Sequence, residues 1–537
     1  MTSTKGLLAR LRDLRRGPAG SGASRGRVAV WGDPASEAVR SVAAGRPGDR
    51  VLVLDPHSEE GFWHARLAGA GPFELVVDAS GRATGAAARF RSSFLHLQRG
   101  GRYRVPADTG AAAAVTTLTN RLADGAGSLK QGSAKSALAA ALGHVQAGAG
   151  GLEVRRRGTT LAKLRETEMN AALAHDGSRG RVLEAVAAVS FESRCSLTTS
   201  RPRDDDRTPG RYDAPELFLR EYHDVVCRPK SVVEQRGLLT PDTYRHHLAR
   251  RLTHKQLRDA GPQFAVAPRP REVTDRLEGT YFHVDNEMRG FFGHALTEQL
   301  SHAWAWPRVR QLFPGARALV SLNRGRPVAE WEWTLLAAAG IARDDVVVIG
   351  GPVRVERLVA ATPMFSMPEY VHPEIVSTWD SVGAALRSSS GLAEHPKRIF
   401  LSRRHDRRAC LNRAEVEGLF TEHGFEIVFP EDHPLADQVE LVHGAQVVAG
   451  FAGSAMFTTM LTDRLTHVVL VSSDTYRPTN EYLIASVRGH RLDVVIGTTS
   501  TVLANGVPDD RLEWPFHVDM DEEGAWLKEV LARLDRG

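Results

Sequence analysis

Short apolar runs alternate with amphipathic stretches along most of this chain. Residues 27–54, RVAVWGDPASEAVRSVAAGRPGDRVLVL, read as a strand, a turn, a helix and a second strand ending before Asp55. FELVVD (Phe73–Asp78) is a third strand, followed by a helical stretch through ARFRSSFLHL and a glycine turn before RYRV. Strands alternating with helices predict a parallel, Rossmann-like sheet. Residues 107–190 are rich in Ala and Gly, and AAAAVTTLTNRLADG, SAKSALAAALGHVQAG and RVLEAVAAVSFES read as helices. From about residue 212 the pattern changes. TYFHVD, RALVSL, DDVVVIGG, KRIFLSRR, FEIVFP, AQVVAG and THVVLVSS read as strands. WEWTLLAAAG, residues 413–424, PLADQVELVHG and SAMFTTMLT read as helices between them. This second βαβα series predicts a second parallel sheet.

A length of 537 residues suggests about three domains. The divisions read from the pattern are a basic tail (1–25), a Rossmann-like domain (26–107) and a helical connector (108–197). A charged, proline-bearing linker (198–211) follows, then two α/β segments, 212–390 and 391–537. Hydrophobic residues make up 42% and charged residues 25%, which excludes a disordered, collagenous or coiled-coil chain. The net charge of +5 is too small for this length to indicate a nucleic-acid partner. The three cysteines form no CxxC pair, so no disulfide framework or cysteine zinc site is indicated, which suits a reducing, cytoplasmic setting.

The N-terminus lacks the apolar region of a secretory signal. Its Leu7, Leu11 and Leu14, interleaved with Arg10, Arg12, Arg15 and Arg16, suit a short basic helix lying on the inner face of a membrane; a solvated tail is the plainer reading. Leu441–Leu461 is uncharged and long enough to span a bilayer, but Gly444, Gly450 and Gly453 interrupt it. It reads instead as strand, glycine turn and helix.

Three clusters carry candidate chemistry. In GFFGHALTEQLSHAW, His294 and Glu298 lie at i, i+4 on one helical face, with His302 a turn further on. An imidazole oriented by a carboxylate can act as a general base; polar residues turned to solvent are the alternative. In RIFLSRRHDRRACLNRAEV, a strand ends at Leu401 and five arginines (Arg403, Arg404, Arg407, Arg408, Arg413) follow within eleven residues. Open α/β sheets bind ligands at strand ends, and guanidinium forks suit phosphate. A solvated basic turn would account for Arg404 and Arg407. In VVAGFAGSAMFTTML, a glycine turn leads into a helix with Ser454 as its expected N-cap, which suits a nucleotide diphosphate. Asp204–Asp206 lies in polar sequence between arginines rather than at a strand end, so it is not read as a metal-binding DxD motif.

Taken in order, these clusters resemble glycosyltransferase family 61, which includes capsular-polysaccharide-type transferases. The resemblance runs over about residues 215–510. It rests on Gly293-His294 with Glu298, then Ser402-Arg403 with Arg408 and Asn412. Gly424-Phe425-Glu426-Ile427-Val428 with Pro430-Glu431 follows, then Gln438, Ala445, Gly450, Gly453-Ser454 and Glu481-Tyr482. Two positions depart from the family pattern: Ala452, where a histidine is common, and Arg413, where an acidic residue is common. The resemblance implies a GT-B fold, with 212–390 as the acceptor lobe and 391–537 as the nucleotide-sugar lobe. It also implies an inverting, metal-independent transfer from a nucleotide sugar, with a UDP-linked donor expected, to a glycan or lipid-linked acceptor. No cofactor other than this co-substrate is expected. His294 or Glu298 would activate the acceptor. Ser402, Arg403, Arg408, Asn412, Gly450, Gly453, Ser454 and Glu481 would hold the donor.

Within residues 27–105, the segment LVVDASG…RFRSSFLHLQRGGRYRV is similar to the later half of a class I methyltransferase domain, and the first half departs from that family. VWGDP (Val30–Pro34) stands where that family has its glycine-rich loop for S-adenosylmethionine, so a degenerate domain is expected. A methyltransferase and a non-catalytic scaffold in polysaccharide assembly remain the alternative readings.

Overall fold

The computed structural model describes residues 26–535, apart from 47, 57–59, 108–109, 202–208, 268–271, 274, 406, 465–466 and 501–510. The basic tail and Asp204–Asp206 lie outside the described residues. The chain clusters into two units, each discontinuous in sequence. The first takes residues up to Leu183 with Arg220–Gly279 and Gly351–Leu358. The second takes Glu184–Leu219, Thr280–Gly350 and Val359–Gly537.

In the first unit, β1 (Arg27–Trp31) pairs in parallel with β2 (Arg50–Leu54) on one side and β3 (Phe73–Asp78) on the other. β4 (Leu97–Val105) extends the sheet in parallel, and the antiparallel strands Gly151–Arg156 and Leu142–Gly148 close it. Val28, Val30, Leu75 and Val77 pack with Val39 of the helix Glu37–Ala44, whose first turn Ser36 caps by accepting from the Val39 amide.

The stretch expected to be a helical connector holds strands as well as helices. Its helices are Gly110–Asp124, Ala134–Ala141 and Glu166–His175. RVLEAVAAVSFES is not helical: it supplies the strands Gly180–Val186 and Val189–Glu192. Val182, Val186 and Val189 are β-branched, and Val189–Glu192 pairs antiparallel with Arg211–Ala214. Gly180, at φ 135°, approaches the Glu221 carbonyl so closely that a Cβ would overlap it.

The second unit has two parallel sets of strands. The end of Asp275–His283 pairs with Arg317–Ser321, which pairs with Val346–Ile349. The other set is β5 (Arg398–Leu401), β6 (Glu426–Val428), β7 (Val447–Phe451), β8 (His467–Ser473) and β9 (Arg491–Thr499), with Ser196–Thr199 beyond β9. Its apolar runs are nearly continuous because both faces are covered. Phe400, Ala449, Phe451, Val469 and Val495 face one core; Ile399, Leu401, Val448, Leu470 and Val494 face the other. The spatial order is β6-β5-β7-β8-β9. The chain therefore steps from β5 to one side and returns to build on the other, so β5 and β7 flank a topological switch point.

Around this sheet lie α1 (Ile375–Arg387), α2 (Arg413–Glu422), α3 (Leu435–Gly444) and α4 (Thr479–Arg488). The helix after β7 is 3-10 rather than α, over Ser454–Leu461. Thr458 and Thr459 donate their hydroxyls to the carbonyls of Ala455 and Met456, three residues back, which supports the tighter winding. Arg488 of α4 fixes the far end of this helix, donating from Nε to the Met460 carbonyl at 2.8 Å and from Nη1 to Asp380 of α1 at 2.6 Å. A Cβ on Gly383 of α1 would overlap the Leu461 carbonyl oxygen. Gly383→Ala is therefore expected to destabilise the fold by about 1–3 kcal/mol, read as a lower urea midpoint with an unchanged slope.

Candidate functional site

The carboxyl ends of β5 and β7 open onto a cavity of about 550 Å3 within the second unit. Leu401, Ser402, Arg403, His405 and Arg408 line it from the β5 side, and Phe451, Gly453, Ser454 and Ala455 from the β7 side. Phe292, Trp331, Thr334, Glu431 and Gln438 contribute further walls. The switch point of an open α/β sheet is where such a crevice is expected.

The five arginines after β5 divide by their partners. Arg404 forms a two-pronged pair with Asp432, and Arg407 with Glu513. Arg413 lies 3.7 Å from Glu417. Arg403 and Arg408 have no carboxylate partner among the described residues. The Arg403 guanidinium lies 5.0 Å over the Phe451 ring, and its Nη2 donates to the Ala452 carbonyl at 3.3 Å. Burial, and then repulsion from Arg408, lower its pKa to about 10. The Arg408 guanidinium lies 4.0 Å over Tyr476, and its Nε is buried without a hydrogen-bond partner among the described residues. Its backbone sits at φ 51°, a left-handed conformation uncommon outside glycine. An orphaned donor and two unpaired cations facing one cavity make a site built for an anion.

The other expected donor residues divide between lining the cavity and supporting it. Ser402 lines it but donates its hydroxyl to Glu417 Oε1 at 2.5 Å. Gly453 is the N-cap of the 3-10 helix, and Ser454, expected there, is its first residue. The Gly453 amide is not open to a ligand, because it donates to Glu481 Oε1 at 2.8 Å. Glu481 thus holds the turn from behind, and its Oε2 is buried without a partner among the described residues. Gly450 is packed inside the sheet, where a Cβ would meet the Leu401 carbonyl oxygen and Met456 sulfur, each at 2.7 Å. Asn412 does not line the cavity either. Its amide donates to the Val518 carbonyl at 2.8 Å and accepts from the Val518 amide at 3.1 Å.

His294 and Glu298 pair as expected, Nδ1 to Oε1 at 2.8 Å. They sit where a short α-turn (Phe292–His294) passes into a π-helical turn (Ala295–Gln299), a distortion frequent at functional sites. Neither lines the cavity, but the adjacent Phe292 does. Gly293 lies against the 3-10 helix, where a Cβ would sit 2.7 Å from Ser454 Cβ. His302 is committed to the Ala361 carbonyl at 2.7 Å and buried, so the face does not extend as a third ligand.

Sequence reasoning missed the aromatic walls. Phe292 and Trp331 meet edge to face at 5.5 Å, and Tyr476 supports Arg408. Trp331 gave no signal beyond helical spacing. Both departures from the family pattern touch Arg403: Ala452 through its carbonyl, and Arg413 by donating from Nη1 to the Arg403 carbonyl at 2.8 Å. In unit one, the Asp78 carboxylate at the end of β3 is engaged by Arg89 at 2.9 Å and Ser80 at 2.6 Å.

The sequence profile of the glycosyltransferase 61 family matches residues 292–469. The match takes in His294 through Ser454 and ends before Glu481. No curated protein matches the chain. Among solved structures, one similar chain is the MycE methyltransferase from the mycinamycin biosynthetic pathway, at 12% identity and a TM-score of 0.22, over 29% of this chain. This chain spans about half of that one (49%). Another is the dodecameric iron-containing heptosyltransferase TibC with ADP-D-β-D-heptose, at 9% identity and a TM-score of 0.22, covering 49% of this chain and 77% of that one. Such low scores carry no inference about fold or function.

Burial pushes the Glu481 carboxyl up to about 7, against the pull of its backbone hydrogen bonds and of Arg408 and Arg403. A carboxyl whose pKa is raised by folding binds its proton more tightly in the folded state. Its contribution is fully present below the ordinary value of 4.5 and is lost as pH rises towards about 7. Relative to Glu481→Gln, the wild-type urea midpoint should fall between pH 5 and pH 7.5. A difference independent of pH would place the Glu481 pKa in the ordinary range.

Proposed function

We propose that the protein is an inverting glycosyltransferase, a reading supported by the match of residues 292–469 to the glycosyltransferase 61 profile. It moves a sugar from a nucleotide-sugar donor to a hydroxyl of a glycan or lipid-linked acceptor. The observation that carries this reading is the pair of arginines without a carboxylate partner among the described residues, Arg403 and Arg408, at the β5/β7 switch point. A diphosphate leaving group needs cations at that place, held before the reaction begins. The proposed architecture is GT-B, with the segment after residue 390 as the donor lobe.

In this reaction the acceptor oxygen bonds to the anomeric carbon while the bond from that carbon to the diphosphate oxygen breaks. The acceptor proton passes to His294. Glu298 accepts from Nδ1 and so fixes the tautomer that leaves Nε2 as the base. This assigns the base to His294 and the orienting role to Glu298. Arg403 and Arg408 take the charge that develops on the diphosphate, so the cations at the site are side chains and the transfer is read as metal-independent. Ser402, Gly453 and Ser454 line the donor side; Asn412, Gly450 and Glu481 hold that wall in place. Phe292 and Trp331 offer an apolar face to a sugar ring. A UDP-linked sugar is the proposed donor. No helix of the described residues is long and apolar enough to cross a membrane. A cytoplasmic position, at the inner face of a membrane in polysaccharide assembly, is part of the proposal.

Arg403→Ala should abolish UDP binding by calorimetry; unchanged affinity would remove Arg403 from the site. His294→Ala should lower kcat by about 10²–10⁴-fold with UDP affinity unchanged, and Glu298→Gln should lower kcat in the same sense. Slow hydrolysis of one nucleotide sugar from a panel would separate a transferase from a scaffold. Consumption of S-adenosylmethionine in its place would favour the methyltransferase reading.

A further inference from the structure

In the first unit four arginines converge on one carboxylate oxygen. Arg27 Nη2, Arg50 Nη1, Arg179 Nε and Arg236 Nη1 lie 3.8, 3.5, 3.7 and 3.6 Å from Oδ2 of Asp176. Four positive charges thus share one negative charge, at distances longer than a close ion pair. The other oxygen of Asp176 accepts from the amide and hydroxyl of Ser178 at 3.3 and 2.6 Å.

Backbone carbonyls hold the cluster in place without cancelling its charge. Arg27 Nη1 donates to the carbonyls of Ala70 and Gly71 at 2.9 and 2.8 Å. Arg179, fully buried, donates to those of Gly69 and Gly71 at 3.0 and 2.7 Å. Burial, and then repulsion from its arginine neighbours, lower the pKa of Arg179 to about 10, and Arg27 shifts in the same direction. Arg50 makes no hydrogen bond within the cluster, and its side chain is 59% exposed.

A cavity of about 340 Å3 opens beside these groups. Arg27, Arg50, His175 and Asp176 line it, against an apolar wall that includes Leu52 and Phe73. It lies at the amino ends of β1 and β2, since Arg27 and Arg50 are the first residues of those strands. Open α/β sheets bind their usual ligands at the opposite, carboxyl ends. The cavity is therefore separate from any S-adenosylmethionine site expected of the domain, and it belongs to the other unit from Arg403 and Arg408.

We infer that this cavity binds a soluble small molecule through a phosphate group, gripped by Arg27 and Arg50. Asp176 already supplies one carboxylate charge, and the cluster still carries an excess of three. A phosphate brings close to two further charges and matches the guanidinium fork. The apolar wall takes the organic part of the ligand.

Calorimetry of the full chain with inorganic pyrophosphate tests this, in an Arg403→Ala background that removes the diphosphate site of the other unit. Binding should persist there, and adding Arg50→Gln should weaken it about tenfold or more without lowering the melting temperature. Asp176→Asn, in the same Arg403→Ala background, should melt at a lower temperature. Pyrophosphate should restore that temperature as it occupies the place of the lost charge. The inference is overturned if pyrophosphate does not bind in the Arg403→Ala background, or if binding there ignores Arg50→Gln. It is equally overturned if Asp176→Asn melts lower and pyrophosphate leaves that temperature unchanged, since Asp176 would then be the cluster's whole complement.

Discussion

Arg403 keeps a guanidinium charge at the mouth of a buried crevice, with its pKa lowered to about 10 and no carboxylate ion-paired with it among the described residues; Glu431 acts on it only at longer range. An unpaired charge out of water is costly, and folded chains ordinarily place a counter-ion beside it. Here the offset comes from the face of Phe451 and the carbonyl of Ala452, which stabilise the cation without neutralising it. Arg408 is treated in the same way over Tyr476. Carbonyls and rings leave the charge available to a ligand; a carboxylate would consume it. The contrast with Arg404 and Arg407, both tied to acidic partners at the surface, lies within one short loop.

The rest of the second unit places that loop. The reversal of strand order puts the ends of β5 and β7 side by side, so the arginine loop and the glycine turn share one crevice. Gly450 lets β7 lie against Leu401 at the end of β5, and Gly453 turns the chain into the 3-10 helix. Glu481 fastens the turn through the Gly453 amide, and Asn412 fastens the far side of the arginine loop through Val518. Arg488 and Gly383 fix the other end of the 3-10 helix against α1 and α4. The glycines and polar contacts of the motif region thus act mainly by setting where two arginines stand.

Much of this was legible in the sequence because it is local. The apolar runs at 398–401, 447–451 and 467–473 announce buried parallel strands by composition alone, whereas the strand at 491–499 is not among those the pattern predicts. The His294–Glu298 pair follows from helical spacing. What could not be read depends on distant partners. Nothing near Asn412 reveals that Val518, 106 residues on, uses both ends of its amide. Nothing near Trp331 or Tyr476 shows that they reach the cavity wall or the Arg408 guanidinium. RVLEAVAAVSFES reads as a helix because its alanines and spaced apolar residues mimic one; strand pairing with Arg211–Ala214 overrides that local preference. The 3-10 winding after Gly453 was hidden for a related reason, since hydroxyl-to-carbonyl bonds of Thr458 and Thr459 compete with the α-helical ladder.

A crystal structure of the protein with UDP tests most directly whether the two arginines exist to hold a diphosphate. The phosphates should lie between the ends of β5 and β7, within hydrogen-bond distance of Arg403 and of the Arg408 Nε, which has no partner among the described residues. UDP bound elsewhere on the chain, with both guanidiniums still resting on Phe451 and Tyr476 and touching no phosphate, would contradict it.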